Sequence, residues 1–264
     1  MNTPTPTPTP TLADVDALFG ALAAVAPYAD TDKSRPILCA ATLQRDTSDP
    51  TSFTAVATCT RTMGVTTVSL PPALAELLPA ELFFPDPVAT VKAWAKWRKG
   101  LGRNVNAGLV PVSVCMAELG CWLTFDAPTL PAPPAPHLVP VVLPAMLGDF
   151  PNWRSLFPSR FEFPQSPNDG PAAMPFLNVN FLKRFSESAG LVSAAAGRPA
   201  SKGNDEINRV RLVHAPGPLA LTVWEQRYSS AAISHSWALV MPVRDTTTAL
   251  RTLPNLIHPS IQRN

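Results

Sequence analysis

Phe150-Pro151-Asn152-Trp153-Arg154-Ser155-Leu156-Phe157-Pro158 is the stretch around which the rest of the chain can be placed. Pro151 and Pro158 each lack a backbone donor and hold φ near one value, so this segment is excluded from the centre of a sheet and is expected to run as an extended crossing. Phe150, Trp153, Leu156 and Phe157 are too apolar for a solvated linker. They need structural units on either side to pack against. Physical chemistry alone therefore reads the stretch as a buried connector between two units.

Working outward on the N-terminal side, apolar residues recur at three and four from Leu12 to Ala26, which predicts an amphipathic helix ending before Pro27, with Asp14 and Asp16 on its polar face. Short strand-like runs follow at Ile37 to Leu43, Phe53 to Thr60 and Met63 to Leu70, as an antiparallel meander. Pro71 to Pro85 reads as a connection with a helical turn and an edge segment at Leu82 to Phe84. Asp86 and Pro87 are a cap and a first-turn proline for a second helix running to about Lys99. Its apolar side is expected to hold Val88, Val91, Ala95 and one or both of Trp94 and Trp97, while Lys92, Lys96, Lys99 and Arg103 form a basic stripe. Strands are expected at Leu109 to Met116, Cys121 to Phe125 and Leu138 to Leu143.

Beyond the connector, a third helix opens at Asn178 or Asn180, with Phe181, Leu182 and Phe185 on one face, Lys183 and Arg184 on the other, and Gly190 as its stop. Val210 to His214, Leu219 to Glu225 and Ser236 to Val243 read as strands. Helices near 12, 87 and 179, each followed by strands, suggest a structural repeat of helix-plus-strand units.

Composition narrows the function classes. At 264 residues with 46% hydrophobic content the chain can bury a sizeable core. Its 32 prolines far exceed the roughly 5% average usage, and residues 1–11 alternate Thr and Pro as an extended tail. A balance of 21 basic and 19 acidic residues means that any nucleic-acid contact must come from local clustering. No apolar run reaches membrane-spanning length and no secretory signal is present, so a cytoplasmic protein is expected. Cys39, Cys59, Cys115 and Cys121 read as free thiols in apolar strand-like segments, and His137, His214, His235 and His258 lack metal-ligand spacing. No nucleophile, zincin or phosphate-loop motif is present, Gly197 to Gly203 having the wrong spacing for the last. Neither an enzyme nor a cofactor or metal site is expected.

Several stretches, taken in order, resemble bacterial DNA polymerase III beta sliding clamps. Ser34-Arg35-Pro36-Ile37-Leu38 followed by Val56-Ala57-Thr58-Cys59-Thr60-Arg61 resembles the R-x-x-L and V-A-T-D-x-[HR]-R-L segments of the clamp's middle domain. The connector resembles the F-P-x-[YW]-R-x-[LIV]-x-P junction between clamp domains. Leu177-Asn178-Val179-Asn180-Phe181-Leu182 resembles the F-N-x-x-Y-L helix start, and Ala238-Leu239-Val240-Met241-Pro242-Val243-Arg244 resembles the clamp terminus.

The resemblance implies an α+β DNA-clamp fold: antiparallel sheets with helices packed on one face, in about three half-domains. It divides the chain into a tail at 1–11, a complete clamp-like domain at 12–149, a connector plus partial second domain at 150–244, and an extension at 245–264. The family's groove for short linear motifs maps onto Arg35, Leu38, Thr58, Thr60, Arg61, Met63, Pro151, Leu156, Val240, Met241, Pro242, Val243 and Arg244. Contact with duplex DNA through its backbone maps onto Lys92, Lys96, Lys99, Arg103, Lys183 and Arg184. The implied function is a processivity factor that tethers a polymerase to DNA. The implied partners are that polymerase, other proteins carrying clamp-binding motifs, a clamp loader and further copies in a ring. The alternative is a monomeric clamp-like module that binds such motifs without encircling DNA. Cys59 stands where the motif has Asp, and only three half-domains are legible, which leaves ring closure open.

Overall fold

The computed structural model describes residues 10–101, 112–117, 120–126, 135–143, 150–156, 179–197, 210–214, 222–228, 233 and 235–240. The first helix, α1 (Leu12–Val25), opens on a reciprocal capping box. The Asp14 carboxylate accepts the Thr11 backbone N–H at 2.7 Å, and the Thr11 hydroxyl accepts the Asp14 N–H at 3.4 Å. A 3-10 turn at Ala26–Tyr28 follows, where Pro27 ends the helix.

The next segment departs from expectation. Pro36–Cys39 forms one helical turn, α2, and β1 (Ala41–Arg45) begins only after it. Pro36 holds a helical φ at the first position, and the Arg35 carbonyl accepts the Leu38 and Cys39 N–H groups at 3.0 and 3.3 Å. β2 (Ser52–Thr58), β3 (Thr62–Ser69), α3 (Pro72–Leu77) and β4 (Glu81–Phe84) lie where the meander, helical turn and edge segment were expected. α4 (Pro87–Gly100) is capped by Asp86, whose carboxylate accepts the Ala89 N–H at 2.9 Å. β5 (Val112–Ala117), β6 (Gly120–Phe125) and β7 (His137–Val141) form an antiparallel three-stranded sheet. α5 (Val179–Ala195) runs through Gly190 and ends instead at Gly197, whose φ of +67° is the left-handed value that glycine adopts freely. β8 (Val210–His214), β9 (Thr222–Arg227) and β10 (His235–Val240) complete the described elements.

The main sheet has seven strands in the order β4-β1-β2-β3-β10-β9-β8, and every pairing is antiparallel. β10, from beyond the connector, lies against β3, from before it. The three-stranded sheet adjoins the other edge, where Phe83 and Val142 exchange backbone hydrogen bonds at 2.9 and 2.8 Å.

One face of these sheets carries the helices. Leu43, Phe53, Ala55, Ala57, Trp224 and Ala238 turn toward α1 and α5, while Leu123, Phe125 and Val139 turn toward α4, all in one apolar cluster. Phe19 of α1 stacks on Trp94 of α4 at 4.2 Å, and Phe125 meets both rings edge-on. Tyr28 lies flat over Gly64. A Cβ there would sit 2.4 Å from the tyrosine ring, so any larger residue at this strand position must displace the ring.

α1 is the interior helix of a three-helix layer. Only Ala13, Asp14 and Ala17 keep appreciable exposure, because α4 and α5 pack on α1 and also on each other. Asp16, expected on a polar face, is 8% exposed, and both its carboxylate oxygens accept from Arg98 Nε at 3.2 Å. Trp94 Nε1 donates to the Ala195 carbonyl at 3.1 Å, which ties α4 to the end of α5. The apolar face of α4 also differs from expectation: Pro87, Thr90, Val91, Trp94 and Arg98 are buried, and Val88, Ala95 and Trp97 are half-exposed. On α5 the buried line runs Phe181, Phe185, Ser188, Ala189, Val192 and Ala195, which leaves Leu182 at 45% exposure. Cys39 and Cys59 are free and half-buried, and neither lies within a strand.

Candidate functional site

Strand alternation gives the main sheet a second apolar face, opposite the helices. Val56 pairs with Val65, Thr58 with Met63, Met63 with Leu239, Val65 with Trp237, and Leu239 with Val223. Since directly paired residues share a face, these side chains form one strip across β2, β3, β10 and β9. Val56, Met63, Val65, Val223 and Leu239 are buried, with Trp153 packed on them and Phe150 and Trp237 at the margin.

Trp153 belongs to the connector, which crosses this face as a 3-10 turn at Trp153–Leu156. Its indole Nε1 donates to Gln44 Oε1 at 3.1 Å, and Arg154 Nη1 donates to the same oxygen at 2.9 Å. Gln44 Nε2 in turn donates to Glu81 Oε1 at 2.7 Å. The Arg154 guanidinium also lies 4.4 Å from the Trp153 ring centre, a cation–π distance. The crossing is thus anchored by an apolar ring and two charge-assisted or neutral donors to one amide. Phe150 adds a second anchor against Phe83, with ring centres 6.1 Å apart.

The expected groove residues divide into groups. Thr58, Thr60, Arg61 and Met63 surround the β2–β3 turn: Thr58 and Met63 are buried, and Thr60 and Arg61 are exposed. The Thr58 hydroxyl donates to the Thr62 carbonyl at 3.0 Å, and Thr60 turns the chain with φ of +69°. Leu38 is buried on α2, which lies against β2. Arg35 is exposed and ion-paired with Asp30 at 2.8 Å and Asp32 at 3.4 Å. Pro151 is exposed, and Leu156 is the last residue of the 3-10 turn. Val240 does not join the strip: it is 1% exposed in the helix-side core, because it pairs with Thr62 one residue out of phase with Leu239. Met241, Pro242, Val243 and Arg244 lie outside the described residues.

Val56, Val65, Val223, Leu239 and Gln44 were not among the groove residues expected from the sequence, whereas Trp153 was expected to pack as part of the buried connector. Alternation within Ala238 to Val240 was the available signal, since adjacent residues of a strand cannot share a face. Beside the turn, Cys59 Sγ lies 3.1 Å from Thr62 Oγ1, which accepts from Arg184 Nη1 at 2.9 Å. Burial opposes the Cys59 thiolate. The Thr62 hydroxyl, neighbouring backbone N–H groups and Arg184 outweigh it and bring the thiol below the ordinary cysteine range.

The expected DNA-contact residues separate as well. Lys92, Lys96 and Lys99 are all exposed on one side of α4, opposite Trp94 and Arg98. Lys183 is exposed but lies 3.5 Å from Glu187 one turn on. Arg184 is half-buried and directed at Thr62, away from that stripe's role. Arg103 lies outside the described residues. Among the described residues, no group of three or more His, Cys, Asp or Glu side chains could hold a metal ion, and no helix is long and apolar enough to cross a membrane.

No protein-family model matches the chain, and no curated protein matches it. Solved structures do. The chain is similar to the DNA polymerase sliding clamp of Pseudomonas aeruginosa, at 12% identity and a TM-score of 0.49, over 92% of this chain and 68% of that one. A sliding clamp (DNA polymerase III subunit beta) from Bartonella birtlesii gives 14% identity and a TM-score of 0.47, over 92% and 68%. The Bacillus subtilis clamp gives 12% identity and a TM-score of 0.37, over 86% of this chain and 47% of that one. The chain therefore spans from about half to two thirds of the length of these structures. The chain is thus similar in its α+β fold to solved structures of bacterial DNA polymerase sliding clamps.

Proposed function

We propose that the chain is a sliding-clamp-like replication processivity factor, which tethers a polymerase to DNA and receives clamp-binding linear motifs on the outer face of the seven-stranded sheet. The observation that carries this reading is the crossing on the outer face: the connector lays Trp153 over the buried strip of Val56, Met63, Val65 and Leu239, where the β2–β3 hairpin meets β10, and leaves Arg61, Pro151 and Arg154 exposed. The strip draws on the same segments that carry the sequence resemblance: the Val56 to Arg61 run, the connector and the Ala238 to Arg244 run. The buried strip is the floor that fixes the crossing, and exposed arginines beside it suit the carboxylates and carbonyls of a short peptide. On this reading β10 contributes Leu239 in place of Val240. Leu38, Thr58, Thr60, Pro151, Leu156 and Arg35 border the approach, and residues 12–149 and 150–244 are the two units that meet there. The protein works in the cytoplasm, as a scaffold without catalysis.

A second reading, a monomeric module that binds motifs without encircling DNA, is favoured by the interior position of α1, which leaves two helices for the outer surface of the helix layer.

The test is fluorescence anisotropy with a labelled clamp-binding peptide. Saturable binding that weakens at least about tenfold in Arg61→Glu and in Leu239→Ala, with both variants folded by circular dichroism, supports the groove; a tenfold change is about 1.4 kcal/mol. Absence of saturable binding to the folded wild type refutes it.

A further inference from the structure

The connector holds one of its charges in a fixed place. Gln44 of β1 and Glu81 of β4 are directly paired, so both side chains stand on the outer face of the main sheet. Glu81 Oε1 accepts from Gln44 Nε2 at 2.7 Å and from the Thr42 hydroxyl at 3.3 Å. With its amide nitrogen committed to a carboxylate, Gln44 turns its oxygen toward the connector, where it accepts from Trp153 Nε1 at 3.1 Å and Arg154 Nη1 at 2.9 Å. Trp153 is packed on the apolar strip, and the Arg154 guanidinium lies 4.4 Å from its ring centre. Arg154 itself is exposed. Among the described residues it makes no ion pair and no other side-chain hydrogen bond. Asp46 lies within reach of its charge, but that carboxylate accepts from the Ser48 N–H and hydroxyl instead, at 2.8 Å each.

We infer, resting on the proposed peptide groove, that Arg154 is a preset receptor for one carboxylate of the bound peptide, held ready by Gln44, so that the linear motif taken by this face carries an Asp or Glu side chain close to its apolar residues. A guanidinium directs its N–H groups within its own plane. With Nη1 tied to Gln44 and the indole beside it, the rest of the fork remains for a carboxylate to accept two N–H groups side by side. An arginine captured from solution loses rotamer freedom. Here Trp153 and Gln44 have restricted it before any ligand arrives, so less is lost on binding. Gln44 is a positioning residue, which acts through Arg154. The surroundings set the kind of anion. Glu81, one hydrogen bond behind Gln44, and Asp46 place two carboxylates around a single cation, which disfavours a polyanion such as duplex DNA and suits a single charge. Exposed Pro151 and the half-buried Phe150 ring lie next along the connector, so an acidic residue and an apolar one can be read together.

The test is anisotropy of a labelled clamp-binding peptide, made with aspartate, asparagine or lysine in turn at each position flanking its apolar residues and titrated with the full chain. At one of those positions the aspartate form should bind wild type about fivefold more tightly than the asparagine form, the upper range for an exposed ion pair. Arg154→Gln should abolish that preference, and Arg154→Glu should reverse it in favour of lysine, with both variants folded by circular dichroism. Gln44→Leu keeps the cation and removes its anchor. It should cut the preference to about twofold while the asparagine form keeps its wild-type affinity, a split that general loss of structure would not give. Wild type that binds the aspartate and asparagine forms equally, or a preference that survives in Arg154→Gln, overturns the inference and leaves the groove standing. A preference unchanged in Gln44→Leu overturns the positioning role. Absence of saturable binding by every form overturns the groove and the receptor together. Duplex DNA bound more tightly than the aspartate peptide, and weakened as much by Arg154→Gln, overturns the choice of partner.

Discussion

Arg98→Met isolates the most expensive arrangement in the core. Asp16 and Arg98 are 8% and 5% exposed, and the guanidinium Nε reaches both carboxylate oxygens at 3.2 Å. Burial pushes the Asp16 carboxyl from 3.8 up to about 6 even against the pull of Arg98. A carboxyl raised in the folded state favours folding most below its unfolded value and loses that contribution as pH rises through the folded value. At about 1.4 kcal/mol for each pH unit, the step from 3.8 to about 6 amounts to on the order of 3 kcal/mol of stability lost as pH rises across that interval. Removing Arg98 takes away the opposing charge, so the carboxyl rises further and the loss extends to higher pH. The expected destabilisation is about 3–5 kcal/mol at about pH 8, where a lone carboxylate must be buried or protonated, and less than half of that at about pH 5, where the carboxyl is neutral. Asp16→Leu combined with Arg98→Met should recover most of the loss. Urea unfolding followed by circular dichroism at the two pH values measures both quantities. A destabilisation of under about 1 kcal/mol, or one equal at both pH values, would refute the reasoning.

Other expectations follow from single contacts. Gly64→Ala should cost about 1–3 kcal/mol, because the new methyl meets the Tyr28 ring 2.4 Å away, and a thermal melt no lower than wild type would count against it. Trp153→Ala should cost about 3 kcal/mol, release Gln44 and speed proteolytic cleavage near the connector; cleavage at the wild-type rate would show that the ring does not anchor the crossing. The chain has two tyrosines, Tyr28 and Tyr228, and burial raises both, Tyr228 to about 12 and Tyr28 well above the ordinary value. An alkaline absorbance titration should therefore show no tyrosinate near pH 10 until the protein unfolds, and a native phenolate step there would contradict the buried network. Tyr228→Phe removes a hydroxyl shared with Ser188 at 2.6 Å, Ser236 at 2.7 Å and Gln226 at 3.1 Å, and should cost about 1–3 kcal/mol in denaturant unfolding.

Local chemistry was sufficient to place most elements. Period-3.6 patterning and the Asp86-Pro87 cap located α1 and α4, and short β-rich runs located the meander. It misjudged Ile37 to Leu43, where Pro36 nucleates a turn of helix before the strand, and Gly190, which a helix packed on α1 carries through its middle. The basic line of Lys92, Lys96 and Lys99 was legible because their spacing puts them on one side of the helix, opposite Val91 and Trp94. The outer-face strip was legible only in part, because it joins strands 170 or so positions apart in the chain, and register between distant strands is not written in either one.

What the sequence determined by itself is local: where backbone can be helical, where proline forbids it, which faces are apolar, and that three helix-plus-strand units follow one another. Only the tertiary structure decided that β10 would lie beside β3, which moved Leu239 onto the outer strip and Val240 into the core. It also decided that α4 and α5 would close over α1, which turned Asp16 from a solvated acid into the buried partner of Arg98 and withdrew Arg184 toward Thr62. The physical reason is the same in each case. Periodicity fixes a side chain's direction relative to its own element, but burial and pairing depend on which neighbour that element meets, and that is a property of the whole packed chain.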